Sequence, residues 1–344
     1  MFRIGSKIIS YDSPTYIIAE VGVNHNGSLE MAEKLIEVAK QSGADAVKFQ
    51  TFKSEKLVSK SAKKAKYQTV NTDEVETQLE MLKKLEFSHE EFKYLKKYCD
   101  EQDIEFLSTP FDEESADFLK EIGVHAFKIG SGDLTNLPLL KKIAKFNVPI
   151  LLSTGMANLG EIEEAVHVLE HSEFALLHCT SNYPAPVEEV NLKAMETMAK
   201  AFGKIVGYSD HTEGDEITIS SVALGAKIIE KHFTLDRKLP GPDHAASIIP
   251  SELSNLVTAI RRVEKSMGDG IKRCTPSEVD TKNVARKSLV ALTELQRGTI
   301  LTEGNLGIKR PGNGIEPKHY EKLLGKAVKN HVNEDNVIEW DDVL

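Results

Sequence analysis

Residues 16–50 read YIIAEVGVNHNGSLEMAEKLIEVAKQSGADAVKFQ, and three patterns succeed one another in them. YIIAEV (16–21) is a short apolar run of the kind expected of a strand buried on both faces. SLEMAEKLIEVAKQSG (28–43) places apolar residues at helical spacing and ends on Gly43, a helix stop. AVKFQ (46–50) is again a short apolar run. Strand, helix and strand in this order are the unit of a parallel α/β sheet.

The alternation continues to about residue 267. IEFLST (104–109), AFKIG (126–130), PILLST (149–154), FALLHC (174–179), KIVGYS (204–209) and KIIEKH (227–232) are the further strand candidates. Amphipathic segments such as SHEEFKYLKKYCDEQ (88–102) and GEIEEAVHVLEHS (160–172) separate them. Ser88, with Glu91 three residues on, predicts a capping box. Eight strands alternating with helices is the count of a (β/α)8 or TIM barrel. The rival is a doubly wound open sheet, which would carry a glycine-rich phosphate turn after the first strand. AEVGVNHNG (19–27) is not G-x-G-x-x-G. The insertion at 51–87, with the basic patch KSAKKAKYQ (60–68), falls after the second strand, at the catalytic mouth of a barrel, and predicts a lid.

Beyond the helical stretch 250–268 the pattern changes. DGIKRCTPSEVDTKN (269–283) is polar and aperiodic, and the remainder combines short β-like pieces with a turn at RPGNG (310–314). The expected division is a barrel over 1–270, a linker over 271–283 and a small second domain over 284–344.

Composition narrows the function. The 344 residues carry 43 Lys and Arg against 53 Asp and Glu, a net charge of −10. That argues against a nucleic-acid partner, which needs a basic stripe. It also means that an anionic substrate must be held by a local cluster of cations. Cys99, Cys179 and Cys274 lie far apart with no C-x-x-C spacing, which fits a reducing compartment rather than a disulfide framework. No stretch approaches the roughly 18 consecutive apolar residues of a membrane span, so the expected location is cytoplasmic, with no membrane partner.

On a barrel, chemistry belongs at the C-terminal ends of the strands. Those ends carry Glu20; Lys48 and Gln50; Ser108 and Thr109; Lys128 and Ser131; Ser153 and Thr154; His178, Thr180 and Ser181; Ser209, Asp210 and His211; and His232. Single polar strand ends mean only a solvated turn, but eight together define a site. His211 and His232 end neighbouring strands, about 4.8 Å apart, and can share one divalent ion. Strand 1 closes against strand 8, which brings Glu20 close as a further ligand or a proton-transfer group. Lys48 and Lys128, among glycines and hydroxyls, suit a phosphate or carboxylate. A Schiff-base lysine is the rival role. Glu230 shares the inward face with His232 and supports the site from one layer below. Lys231 faces the helices and is expected to matter least. His25 in NHNG reads as part of a turn, and Cys179 beside His178 points to the opposite face of its strand.

In order and spacing, AEVGVNHNG, VKFQTF, STPFD, FKIGSGD, LSTGMA, LHCTSNYPAP, GYSDHT, EKHFTLD, PGPDH and KRPGNGI resemble the sialic acid synthase family over nearly the whole chain. The resemblance implies a (β/α)8 barrel followed by a small antifreeze-like (SAF, β-clip) domain. It implies condensation of phosphoenolpyruvate with an N-acetylated amino sugar: N-acetylmannosamine giving N-acetylneuraminate, or alternatively a 2,4-diacetamido-2,4,6-trideoxy sugar giving a legionaminate. By the same resemblance His211 and His232 hold manganese or magnesium and Glu20 is a mouth carboxylate needed for turnover. Lys48, Thr109, Lys128, Ser131, Ser153 and Ser209 surround phosphoenolpyruvate, with Ser181 beside them where some members have Asn. Gln50, Asn71, Tyr183 and Asp243 lie near the sugar, as does Asp133, where many members have Glu. Arg310 reaches into the barrel of a partner in a domain-swapped homodimer. The competing functions are a Schiff-base pyruvate aldolase or lyase, and a non-catalytic saccharide-binding protein.

Overall fold

A computed structural model describes residues 1–64, 66–72 and 76–344 of the chain; Ala65 of the basic patch lies outside them. The chain divides into two compact units, Met1–Gly268 and Asp269–Leu344.

The first unit opens with an antiparallel hairpin, β1 (Phe2–Ile4) and β2 (Lys7–Ile9), which pairs Phe2 with Ile9. Then follow β3 (Tyr16–Gly22), α1 (Leu29–Gln41) and β4 (Ala46–Thr51). Three short helices fill the insertion: α2 (Ser54–Leu57), α3 (Lys66–Asn71) and α4 (Gln78–Leu85). Next come α5 (His89–Glu101), β5 (Glu105–Pro110), α6 (Glu113–Glu121), β6 (Phe127–Ile129), α7 (Leu137–Ala144) and β7 (Ile150–Ser153). The unit ends with α8 (Leu159–Val168), β8 (Phe174–Cys179), α9 (Lys193–Phe202), β9 (Val206–Asp210), α10 (Glu216–Ala223), β10 (Ile228–His232) and α11 (Pro250–Ser266).

Strands β3 to β10 form one sheet in the order β5-β4-β3-β10-β9-β8-β7-β6, with every paired strand parallel. Because β10 pairs with β3, the last strand meets the first, and β5 lies against β6. This is the expected barrel, and the open sheet is excluded.

The helices form for local reasons. In α1, Ser28 caps the first turn by accepting from the Met31 N–H, and Ala32, Leu35, Ile36 and Ala39 bury one face at i, i+3, i+4 and i+7. Gly43 follows at φ +86°, a conformation that disfavours any side chain. Ser88 and Glu91 make the expected capping box at the start of α5.

Inside the barrel, Ile18, Leu107, Leu151, Leu177 and Ile228 pack with Phe2, Ile4 and Ile9 of the hairpin. The hairpin therefore plugs the N-terminal end. Helix α4 adds a separate apolar cluster of Met81, Leu82 and Leu85 with Val23 and Phe52, against which Leu57 of α2, Val58 and Phe111 pack.

In the second unit the segment expected as a linker carries a single 3-10 turn (Pro276–Glu278) and α12 (Val279–Ala285). Beyond it, β11 (Ser288–Ala291) pairs antiparallel with β12 (Leu306–Lys309), followed by α13 (Tyr320–Leu323). Leu289, Leu295, Leu301, Leu306, Val328 and Ile338 give this unit a core of its own. Among the described residues no helix is long and apolar enough to cross a membrane.

Candidate active site

Strand alternation decides which side chains reach the barrel interior. On β3, Ile18 lies below Glu20; on β4, Ala46 lies below Lys48 and Gln50; on β5, Leu107 lies below Thr109; on β10, Ile228 lies below Glu230 and His232. The lower inward positions are apolar and the upper ones polar. The same two-residue period that fills the core thus delivers a ring of polar groups to the C-terminal mouth, where they line a cavity of about 250 Å³.

Four buried charges meet there. Lys48 Nζ lies 2.7 Å from Glu20 Oε2 and 3.6 Å from Glu230 Oε1, and Lys128 Nζ lies 3.5 Å from the same Glu230 oxygen. Hydroxyls complete the shell. Lys48 donates to Thr109 Oγ1 at 3.2 Å, Lys128 donates to Ser153 Oγ at 2.7 Å, and Ser209 Oγ donates to Glu230 Oε1 at 3.1 Å. Gln50 Nε2 donates to Glu20 Oε1 at 3.3 Å.

Burial and charge pull these groups apart. Burial lifts the Glu20 carboxyl to about 7, against the opposing charge of Lys48. Burial alone would raise Glu230 too, but Lys128 and Lys48 outweigh it and hold it at about 2. Burial would lower Lys48, yet Glu20 and Glu230 keep it above the usual lysine value. Lys128 falls below that value through burial, helped by the like charge of Lys48 and opposed by Glu230. One carboxyl therefore sits near neutrality beside a permanently ionised one.

Across the floor, Ser131, Cys179 and Ser181 converge on Gly155. The Gly155 N–H donates to Ser131 Oγ at 2.9 Å, and Ser131 Oγ lies 3.0 Å from Cys179 Sγ. A Cβ at Gly155 would stand 2.3 Å from Ser181 Oγ and 2.8 Å from both Cys179 Sγ and Ser131 Oγ. Any larger residue would have to push these three groups aside. Sequence reading passed over Gly155, although its place directly after Ser153 and Thr154 at a strand end was the available signal.

The two histidines face one another with ring centroids 5.6 Å apart, and Tyr183 lies 4.2 Å from His211 and 5.5 Å from His232. Burial lowers the pKa of both, so both rings are neutral at pH 7. His211 Nδ1 lies 2.7 Å from the Thr180 carbonyl oxygen and so carries the proton, leaving the Nε2 lone pair free for a ligand. His232 Nδ1 is buried with no hydrogen-bond partner among the described residues. Two neutral imidazoles, one orphaned and one with its tautomer set by a carbonyl, fit a divalent ion. Among the described residues no third His, Cys, Asp or Glu joins them in a metal-holding group, and Glu20 is engaged with Lys48 instead.

The other expected residues divide. Ser181 and Tyr183 line the cavity, and Asp243, raised to about 6 by burial against the pull of Lys48, lines an adjoining one. Asn71 donates from its amide to the Pro242 carbonyl at 3.0 Å. Asp133 turns to the start of α7, accepting from Asn136 at 2.9 Å. Arg310 is exposed on the second unit, directly after β12. His178 points away from the interior and bonds the Val190 carbonyl at 2.6 Å. His25 lies in its turn, stacked on Phe87.

Lys231 is the main correction. It is buried, and its Nζ reaches Asp210 Oδ2 at 2.6 Å and the Thr212 carbonyl at 2.9 Å. Asp210 Oδ1 also accepts from Thr212 N and Thr212 Oγ1, both at 2.8 Å. This network clamps the backbone on both sides of His211 from the residue beside His232. It was missed because an outward strand position ordinarily means contact with apolar helix faces.

A larger cavity of about 560 Å³ lies at the opposite, N-terminal end of the strands, beside Lys7, Tyr16, Arg261 and Glu264. Several of its charges are already paired: Arg261 holds Asp45 and Glu264 at 3.1 Å, and Lys7 holds Asp45 at 3.4 Å. Groups at that end of a barrel serve stability.

Comparison with known proteins identifies the family. The NeuB family model matches residues 35–272 and the SAF domain model residues 286–344; the chain belongs to the NeuB family. It is a synthase of the type that condenses phosphoenolpyruvate into sialic and other nonulosonic acids. Among its relatives, the N,N'-diacetyllegionaminic acid synthase of Campylobacter jejuni is 55% identical over 94% of this chain and 98% of that one. The human N-acetylneuraminate-9-phosphate synthase is 39% identical over 94% of this chain and 91% of that one. A crystal structure of the N-acetylneuraminic acid synthetase of Leptospira borgpetersenii, in complex with citrate, superposes with a TM-score of 0.74 at 38% identity, covering 81% of this chain and 94% of that one.

Proposed function

We propose that the protein is a metal-dependent N,N'-diacetyllegionaminate synthase, joining phosphoenolpyruvate to a 2,4-diacetamido-2,4,6-trideoxymannose and releasing phosphate. The observation that carries the chemistry is the buried quartet Lys48, Lys128, Glu20 and Glu230 beside two neutral histidines. The higher identity to the legionaminic acid synthase supports the diacetamido sugar over N-acetylmannosamine.

His211 and His232 would hold manganese or magnesium. When bound, the ion supplies Lewis-acid stabilisation for the charge that builds on the sugar carbonyl oxygen. Lys48 and Lys128 neutralise the carboxylate and phosphate of phosphoenolpyruvate, and the Ser131 and Ser181 hydroxyls, gathered over Gly155, donate to phosphate oxygens. The enol carbon C3 bonds to the sugar C1, water adds at C2, and the resulting tetrahedral centre expels phosphate. Glu20, poised near neutrality, is the group that can give a proton to the new C1 oxygen and recover one from the attacking water. A carboxyl at its ordinary pKa would be a far weaker donor at pH 7. The proposal extends to a homodimer in which Arg310 of one copy completes the barrel site of the other.

The test is purified protein with phosphoenolpyruvate, Mn²⁺ or Mg²⁺ and each sugar in turn, measuring released phosphate. Sugar-dependent release that EDTA abolishes and metal restores is expected. His211→Ala and His232→Ala should each lower turnover by on the order of 10³-fold or more with the fold retained. Activity that survives EDTA, with a lysine adduct trapped by borohydride from pyruvate, would establish the aldolase instead.

A further inference from the structure

Past His232, Tyr183, Gln50 and Phe111 lies a second chamber of about 270 Å³, and these four residues line both spaces. The two chambers therefore meet at the metal-side histidine and at the residues around it. Their chemistry differs. The first is lined by lysines, hydroxyls and carboxylates. The wall of the second is largely aliphatic: Val23, Leu57, Val58, Met81, Leu82 and Leu85. This wall belongs to the apolar cluster of the insertion helices, not to the barrel core. Its polar members include three carboxamides, Gln50, Gln68 and Gln78.

The reaction itself orients the substrate, on the proposed function. Phosphoenolpyruvate requires the lysines and the Gly155 cradle, so the sugar C1 must lie between that end and the histidines. The rest of the sugar then runs past Tyr183 into the second chamber. We infer that this chamber is the specificity site for the far end of the sugar, and that it selects a C6 methyl and a C4 acetamido group over hydroxyls. An aliphatic wall gains from burying a methyl and offers a hydroxyl no partner for the water it gives up. An acetamido group presents one N–H, one carbonyl and one methyl, which carboxamides and an aliphatic wall match together. N-acetylmannosamine, with hydroxyls at both positions, can bond the carboxamides and Asp243 but brings no methyl to the aliphatic wall.

The experiment compares kcat/KM for the diacetamido-trideoxy sugar and for N-acetylmannosamine in the wild type, in Val58→Thr and in Gln78→Leu. Val58→Thr exchanges a methyl for a hydroxyl at nearly constant volume, and both positions are half-buried, so neither change threatens the fold. The wild type should prefer the diacetamido sugar by about 100-fold. Each variant should erode that ratio by about tenfold with KM for phosphoenolpyruvate unchanged. Unaltered ratios in both variants, with the wild type still preferring the diacetamido sugar, overturn the assignment of this chamber while leaving the synthase standing; a wild type that prefers N-acetylmannosamine overturns the choice of sugar in the proposed function as well. Release of phosphate with neither sugar overturns the proposed function instead.

Discussion

Glu20 and Lys231 each take their character from a buried partner of opposite charge. Glu20 shares Lys48 with Glu230, and burial lifts its carboxyl to about 7. The folded protein holds that proton more tightly than the unfolded chain does. Its contribution to stability is thus fully present below the ordinary carboxyl range and is lost as pH rises through 7. Infrared difference spectra should show a protonated-carboxyl band fading between about pH 6 and 8, and Glu20→Gln should remove it; a band already gone by pH 5 would contradict the assignment. Lys231 behaves in the opposite sense through its partner. Burial alone would raise Asp210, but the Lys231 charge holds it below the usual range, so this stabilisation is present above that range and fades as pH falls through the depressed value. Lys231→Met should lower the unfolding free energy in urea by about 3–5 kcal/mol, because it strands a buried carboxylate, and adding Asp210→Asn should recover much of the loss. Manganese affinity should weaken by about 10–100-fold in Lys231→Met; unchanged affinity would reduce the pair to a structural role.

At the scale of elements, the eight barrel strands and the inward ring at their ends were legible, because period-two alternation is written directly into runs such as KIIEKH. What alternation could not show was convergence between loops. Gly155 follows β7, Ser131 follows β6, and Ser181 follows β8, yet they meet at one point. Gly155→Ala keeps the backbone N–H but sets a methyl against the Ser131 and Ser181 hydroxyls, so displacing those donors should raise KM for phosphoenolpyruvate by about 10–100-fold, with little change in KM for the sugar. A larger effect on the sugar would place the phosphate elsewhere. The N-terminal hairpin was also not read as an element. Its strands are three residues long, too short for a periodic pattern, and their partner is a barrel interior far away in sequence. The insertion was expected as a lid; its apolar wall was hidden because Met81 and Leu85 of α4 meet Val23 and Phe52 only across separate elements.

At the scale of the whole molecule, the two-part division was legible from the loss of helical periodicity after residue 268, but the segment read as a linker contains α12. Composition cannot separate a short polar helix from a linker, since both expose nearly every side chain. The part proposed for Arg310 likewise lies beyond a single chain. It is exposed after β12 in a unit with its own core, so losing its side chain should leave folding intact. If a second copy supplies it, Arg310→Ala and His232→Ala fail for complementary reasons: one retains a complete barrel, the other a complete arginine. Neither variant alone should turn over. In a mixed dimer, one of the two sites combines the intact barrel with the intact arginine. Random pairing of equal amounts, achieved by co-expression with two different tags, should then restore about a quarter of wild-type activity, and dimers carrying both tags about half. An arginine acting within its own chain leaves both sites of the mixed dimer defective, and no activity returns. The two arrangements are therefore separated by the presence or absence of rescue, without any need to know how the units are placed.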